Sequence, residues 1–183
     1  MKALISIVAL LFSLSAFAEP QVVAGIEIGS KGIKAIAVEI DVKSDGEEYS
    51  VRSVYKKQRN PNLMAGVSAD GLLQEDRIAA AKTEIASLFK ELKSKDPQFI
   101  VVVASTAFQN VKNRAALSDA VLEATNQKLE YIVADEEMYY GLLACVPAKR
   151  LTSSILIDIG SGNAKMGYAT PMASDGFESE VIP

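Results

Sequence analysis

The sequence predicts an α/β chain, a mixed five-stranded sheet with helices in the order βββαβαβα followed by a new β-hairpin. Three observations predict it. Short β-branched runs come in threes before any helical pattern begins. Apolar residues at three- and four-residue spacing then mark helices that alternate with short apolar runs. Finally, Ile157-Asp158-Ile159-Gly160-Ser161-Gly162-Asn163 repeats late in the chain the form of Gly25-Ile26-Glu27-Ile28-Gly29-Ser30-Lys31 near its start.

Ahead of the first strand, Lys2 precedes an apolar run over residues 3–12, then Ser13, Ser15 and the small-residue site Ala16-Phe17-Ala18. This is the layout of a secretory signal peptide over residues 1–18. The alternative is a membrane anchor or a buried helix, but the run is shorter than the roughly 20 residues that span a bilayer. Cleavage after Ala18, passage across the inner membrane and a periplasmic location are therefore expected, with no membrane span left afterwards.

Residues 22–28 and 33–40 flank the tight turn Gly29-Ser30-Lys31-Gly32, and a third strand over 49–57 follows Ser44-Asp45-Gly46. Three successive strands predict an antiparallel meander. After a loop over 60–71, Ile78, Ala81, Ile85, Leu88, Phe89 and Leu92 predict an amphipathic helix over 74–93. The continuous apolar run 99–104 reads as a strand covered on both faces. A helix over 113–125 with Leu117, Val121 and Ala124 inward follows, then a strand over 129–133. Asp135 is placed to cap a third helix that runs to Cys145. Pro147 to Arg150 breaks the chain before strands at 154–159 and 164–169 close the second hairpin.

Composition narrows the chemistry. With 19 basic and 23 acidic residues the formal charge is −4, and loss of Lys2 with the leader lowers it by one. That balance argues against a nucleic-acid or anionic-membrane surface, but not against a phosphate held locally by backbone N–H groups and one or two cations. The single cysteine, Cys145, cannot form an intramolecular disulfide and, within Leu142-Leu143-Ala144-Cys145-Val146, is expected to be buried. The chain has no histidine, so imidazole zinc sites, Ser-His-Asp triads and histidine phosphoryl carriers are excluded.

Each hairpin puts an acid near the end of a strand and then a glycine turn, which lets backbone N–H groups point into a concavity. An acid there can hold a hydrated divalent cation against phosphate oxygens. One such hairpin is ordinary turn chemistry; two, separated by one βββαβαβα unit, resemble the paired phosphate hairpins of the actin-like superfamily of sugar kinases, heat-shock chaperone ATPases and actin. The nearest resemblance within it is to the exopolyphosphatase/guanosine pentaphosphate phosphatase (Ppx/GppA) family. Ala104-Ser105-Thr106-Ala107-Phe108 with Asn113, and Ile132-Val133-Ala134-Asp135-Glu136-Glu137, are similar to two further segments of that family, as are Lys57-Gln58-Arg59 and the Gly71 loop.

The resemblance implies a ribonuclease H-like lobe over 19–150 and, over 151–183, the first hairpin of an incomplete second lobe. It implies Glu137 as the general base that activates water. Gly29, Ser30, Lys31, Ser105, Gly160, Ser161, Gly162 and Asn163 would bind phosphate, and Glu27 and Asp158 a divalent metal, Mg²⁺. The implied activity is release of phosphate from polyphosphate, a guanosine polyphosphate or another phosphorylated small molecule; the alternative is a non-catalytic exported module that keeps the fold. Three departures bear on that choice. Gln109 stands where the family has arginine, and Asn163-Ala164-Lys165 where it has S-T-E. Lys165 and Lys31 either contact phosphate or are solvated. The second lobe barely begins, so the chain is a fragment, or its hairpin packs back on the first lobe or meets a partner that completes the second.

Overall fold

The computed structural model describes residues 20–42, 49–67, 69–160, 164–171 and 177–182. The leader, Ser44-Asp45-Gly46 and Ser161-Gly162-Asn163 lie outside them. Strands β1 (Gln21–Ile28), β2 (Ile33–Val42) and β3 (Tyr49–Arg59) form the expected antiparallel meander, with Ile28 opposite Ile33 across the first glycine turn. Helix α1 (Glu75–Lys93) follows, then β4 (Ile100–Ala104), a 3₁₀ turn (Thr106–Phe108), α2 (Arg114–Thr125) and β5 (Leu129–Tyr131). The sheet order is β3-β2-β1-β4-β5, and β1, β4 and β5 run parallel.

The core lies between this sheet and helices α1 and α2. The six apolar residues that predict α1 are its six buried residues, and Ile85, Leu88 and Leu92 are fully enclosed. Each such side chain contributes about 1.5–3 kcal/mol. They meet Ile26, Ile28, Ile33 and Val102 from the sheet. The strand β4 is not covered on both faces as its composition suggests. Val102 and Ala104 are buried, but Val101 and Val103 are only half-buried, because both helices that follow the meander lie on the opposite side.

Helix α3 (Ala134–Cys145) packs instead on a second sheet, order β6-β7-β8, made of β6 (Ile155–Ile159), β7 (Ala164–Pro171) and β8 (Phe177–Ile182). A short 3₁₀ segment, Ala148–Ser153, leads into it. The approach is close: a Cβ on Gly141 would stand 2.5 Å from a methyl of Leu156. Met138 and Leu142 are the buried positions of α3, one turn apart. Val146 continues that stripe, which turns Cys145 outward, so the thiol is exposed rather than buried. The start of α3 also differs from expectation. Val133, not Asp135, is the N-cap residue, and Glu136 reaches back to accept its N–H at 3.1 Å. Among the described residues no helix is long and apolar enough to cross a membrane.

Candidate functional site

The carboxyl ends of the three parallel strands meet at one place. Ile28 leads into the Gly29–Gly32 turn, Ala104 into Ser105 and Thr106, and Tyr131 into the start of α3. Backbone bonds lock these exits together: Ser105 N–H donates to Ile28 at 3.0 Å and Ile132 N–H to Ala104 at 3.1 Å. Crevices at such strand ends are where open α/β sheets take ligands. The loop after β3 braces the glycine turn from outside, with Asn62 N–H on the Lys31 carbonyl and Met64 N–H on that of Ser30, both at 3.0 Å. Asn113 holds the far end of that loop through both polar atoms of its amide, accepting from Leu73 N–H and donating to its carbonyl at 2.9 Å each. Its role is this clasp, since it makes no cap bond to α2.

A cleft of about 290 Å³ opens between the first glycine turn and the end of β6. Gly29, Ser30, Lys31 and Gly32 line one side and Ile159 and Gly160 the other. Ser105, Ala107 and Gln58 also line it, with Glu27, Glu137 and Asp158. Every described residue of the expected site therefore faces one cavity. Gln109 is exposed and does not line it.

Within the cleft the three acids are already paired. Glu27 and Lys34 face each other across β1 and β2, with Nζ 3.2 Å from both carboxylate oxygens. Asp158 and Lys165 are the corresponding register partners of β6 and β7, and their ion pair is 3.2 Å. Opposed charges at such positions stabilise a hairpin modestly.

The two pairs differ in burial. The Lys34 side chain is 58% exposed and that of Lys165 only 6%. Lys165, Gly167 and Ala169 form the buried face of β7, and the two small residues leave the lysine stem room beneath α3. Its ammonium reaches 3.1 Å from Oε1 of Glu137 and donates to Thr106 Oγ1 at 3.4 Å. Lys165 is thus not solvated: it lines the cleft while paired with Glu137 and Asp158. It ties α3, the 3₁₀ turn and the second hairpin together.

Glu137 is correspondingly constrained. Its Oε2 accepts from Thr106 Oγ1 at 2.7 Å and from Thr106 N–H at 3.2 Å. Burial alone raises its pKa, but those hydrogen bonds and the charge of Lys165 outweigh it and hold the carboxyl below the usual range. The group is an oriented carboxylate.

A divalent metal held by Glu27 and Asp158 does not fit these residues. Glu27 already pairs with Lys34, Asp158 shares Lys165 with Glu137, and among the described residues no group of three or more Asp, Glu, Cys or His side chains could hold a metal. The expectation missed Thr106 and the two lysines as pairing partners. A signal was present: Glu27-Ile28-Gly29-Ser30 with Lys34 and Asp158-Ile159-Gly160-Ser161 with Lys165 share the pattern acid, Ile, Gly, Ser and a lysine at the same spacing.

Residues 40–171 match the Ppx/GppA phosphatase family. A Ppx/GppA family member from Aquifex aeolicus superposes with a TM-score of 0.72 at 22% identity, over 90% of this chain and 52% of that one. An exopolyphosphatase from Cytophaga hutchinsonii gives 0.69 at 16% identity, over 88% and 50%. Nucleoside triphosphate hydrolases from Neospora caninum give 0.50 at 12% identity, over 94% and 43%. At these identities the likeness is one of fold. The chain spans about half the length of these structures. No curated protein sequence matches it.

Proposed function

We propose, from the premise that this chain belongs to the Ppx/GppA phosphatase family, that its cleft binds condensed phosphate, a polyphosphate or related phosphoanhydride chain, as a binding module with a locked hydrolytic group. The Gly29–Gly32 turn on one side, Gly160 on the other, Ser105 and Lys31 at the rim suit a row of phosphate oxygens. The observation that carries the reading is the state of Glu137. Of about four acceptor positions on a carboxylate, three are taken by Thr106 and Lys165. A base for water must be free to accept a proton, and lowered basicity weakens it further.

Hydrolysis of phosphoanhydrides with Glu137 as general base is the second reading, and one observation favours it. The carboxylate is ionised at the floor of the cleft and held in a single orientation. The two readings separate when the full chain is titrated with polyphosphate by filter retention and phosphate release with Mg²⁺ is followed for wild type and Glu137→Gln. The binding reading predicts saturable retention and equal, negligible release. Release by wild type that Glu137→Gln abolishes would establish the hydrolase, and absence of retention would remove the phosphate ligand.

The leader features of residues 1–18 support export to the periplasm. Mass spectrometry of the protein from a periplasmic fraction is expected to show Glu19 as its first residue, and an intact Met1 would contradict this. The outer face of β6 supports a protein segment that completes the second lobe: Ile155, Ile157 and Ile159 are 65%, 65% and 80% exposed in one row.

A further inference from the structure

We propose that Lys165 is the built-in cation of this cleft, filling with an ammonium the position between Glu137 and Asp158, so that the site takes its anion with no divalent metal. The ammonium contacts three oxygens contributed by three separate elements, Glu137 of α3, Asp158 of β6 and Thr106 of the 3₁₀ turn. An ion that bridges carboxylates across a fold boundary is the arrangement a bound metal usually provides; here a side chain provides it. Charge agrees with geometry. The described lining of the cleft carries three acids, Glu27, Glu137 and Asp158, and three lysines, Lys31, Lys34 and Lys165, for a formal sum of zero.

Metal affinity rises with the number of ligand carboxylates, and neutralised carboxylates offer a divalent ion little return for shedding water. Turning Lys165 into an acid would convert the cluster into three neighbouring carboxylates and lower the formal charge of the lining by two, which one divalent cation offsets. Lys165 therefore does the work of an acid and its metal together. For the identity of the anion this rests on the condensed-phosphate reading; the cation assignment stands on the contacts alone.

The test is a titration of the full chain with Mn²⁺ alone, followed by electron paramagnetic resonance. Wild type is expected to leave the free-ion signal undiminished. Lys165→Glu is expected to bind one Mn²⁺ per chain, and adding Asp158→Asn to weaken that binding by about tenfold or more. Wild-type binding of one Mn²⁺ that Asp158→Asn abolishes would overturn the assignment. If Lys165→Glu does not fold, Lys165→Gln is read by thermal melting. Mn²⁺ should then raise the Tm of Lys165→Gln and not that of wild type, whereas an equal rise in both would overturn it. No phosphate enters these arms, so retention of polyphosphate in a chelator, measured on the same preparation, judges the ligand separately.

Discussion

Replacing Lys165 by methionine removes a charge and keeps most of the buried stem. Truncating one partner of a fully buried ion pair costs about 3–5 kcal/mol, because the remaining charge stays without compensation. Here the carboxylate partners are unequal. Glu137 is 19% exposed but keeps two donors from Thr106, and Asp158 is 43% exposed and partly hydrated. Discounting for that solvent screening leaves about 2–3 kcal/mol. For a chain of this size each kcal/mol moves Tm by about 2–4 °C, so a fall of about 4–12 °C is expected at neutral pH.

The dependence on pH has a definite sign. The folded-state pKa of Glu137 is depressed, so its contribution is complete above the ordinary carboxylate value and lost as pH falls through the lowered one. Without Lys165 that depression is smaller. The gap between wild type and variant should therefore narrow as pH drops through the carboxylate range. Thermal melts by circular dichroism at steps from neutral to acid pH measure it. A neutral-pH difference under about 0.5 kcal/mol, the size of an ordinary surface substitution, would refute the buried pairing, as would a gap that widens in acid.

Further perturbations probe the parts that support the cleft. Gly32→Ala should destabilise the chain by about 1–3 kcal/mol and weaken polyphosphate retention. Its Cβ would stand 3.0 Å from the Arg59 carbonyl and 2.7 Å from Asn60 Oδ1; unchanged urea denaturation would contradict this. Asn113→Ala leaves the Leu73 N–H and carbonyl without their clasp, and a loss of about 2 kcal/mol is expected in the same assay. Burial, with a hydrogen bond to Glu91 and the charge of that group, pushes Tyr55 up to about 12. In Glu91→Gln the alkaline absorbance titration of that tyrosine should move to lower pH, and an unmoved curve would show that Glu91 does not face it.

The elements were legible where a short-range pattern decides them. In α1 the apolar spacing names the buried face residue by residue. The hairpins follow from β-branched runs and glycine turns. Cys145 is exposed although its run is apolar because the helical period, not composition, sets the buried face: Met138, Leu142 and Val146 carry the buried stripe, and Cys145 falls outside it. The strand β4 misled for a related reason, since composition does not tell which face the next helices take. In the site, residue types around the two turns pointed to one cleft, yet the contacts that set its chemistry span the chain. Thr106 and Glu137 are 31 residues apart, and Lys165 and Thr106 are 59 apart. No local pattern encodes such pairs. A weaker signal did exist in β7, where Lys165 shares its alternating face with Gly167 and Ala169, residues that belong beneath a packed helix rather than in solvent.

The most direct measurement of the central claim is an NMR titration of the isotope-labelled chain with polyphosphate in the presence of a chelator. Saturable shifts are predicted for the backbone amides of Gly29, Lys31, Ser105 and Gly160, the residues that face one another across the cleft. Shifts confined to the lysine-bearing outer strand around Lys56 and Lys57, or shifts that appear only when Mg²⁺ is restored, would contradict it.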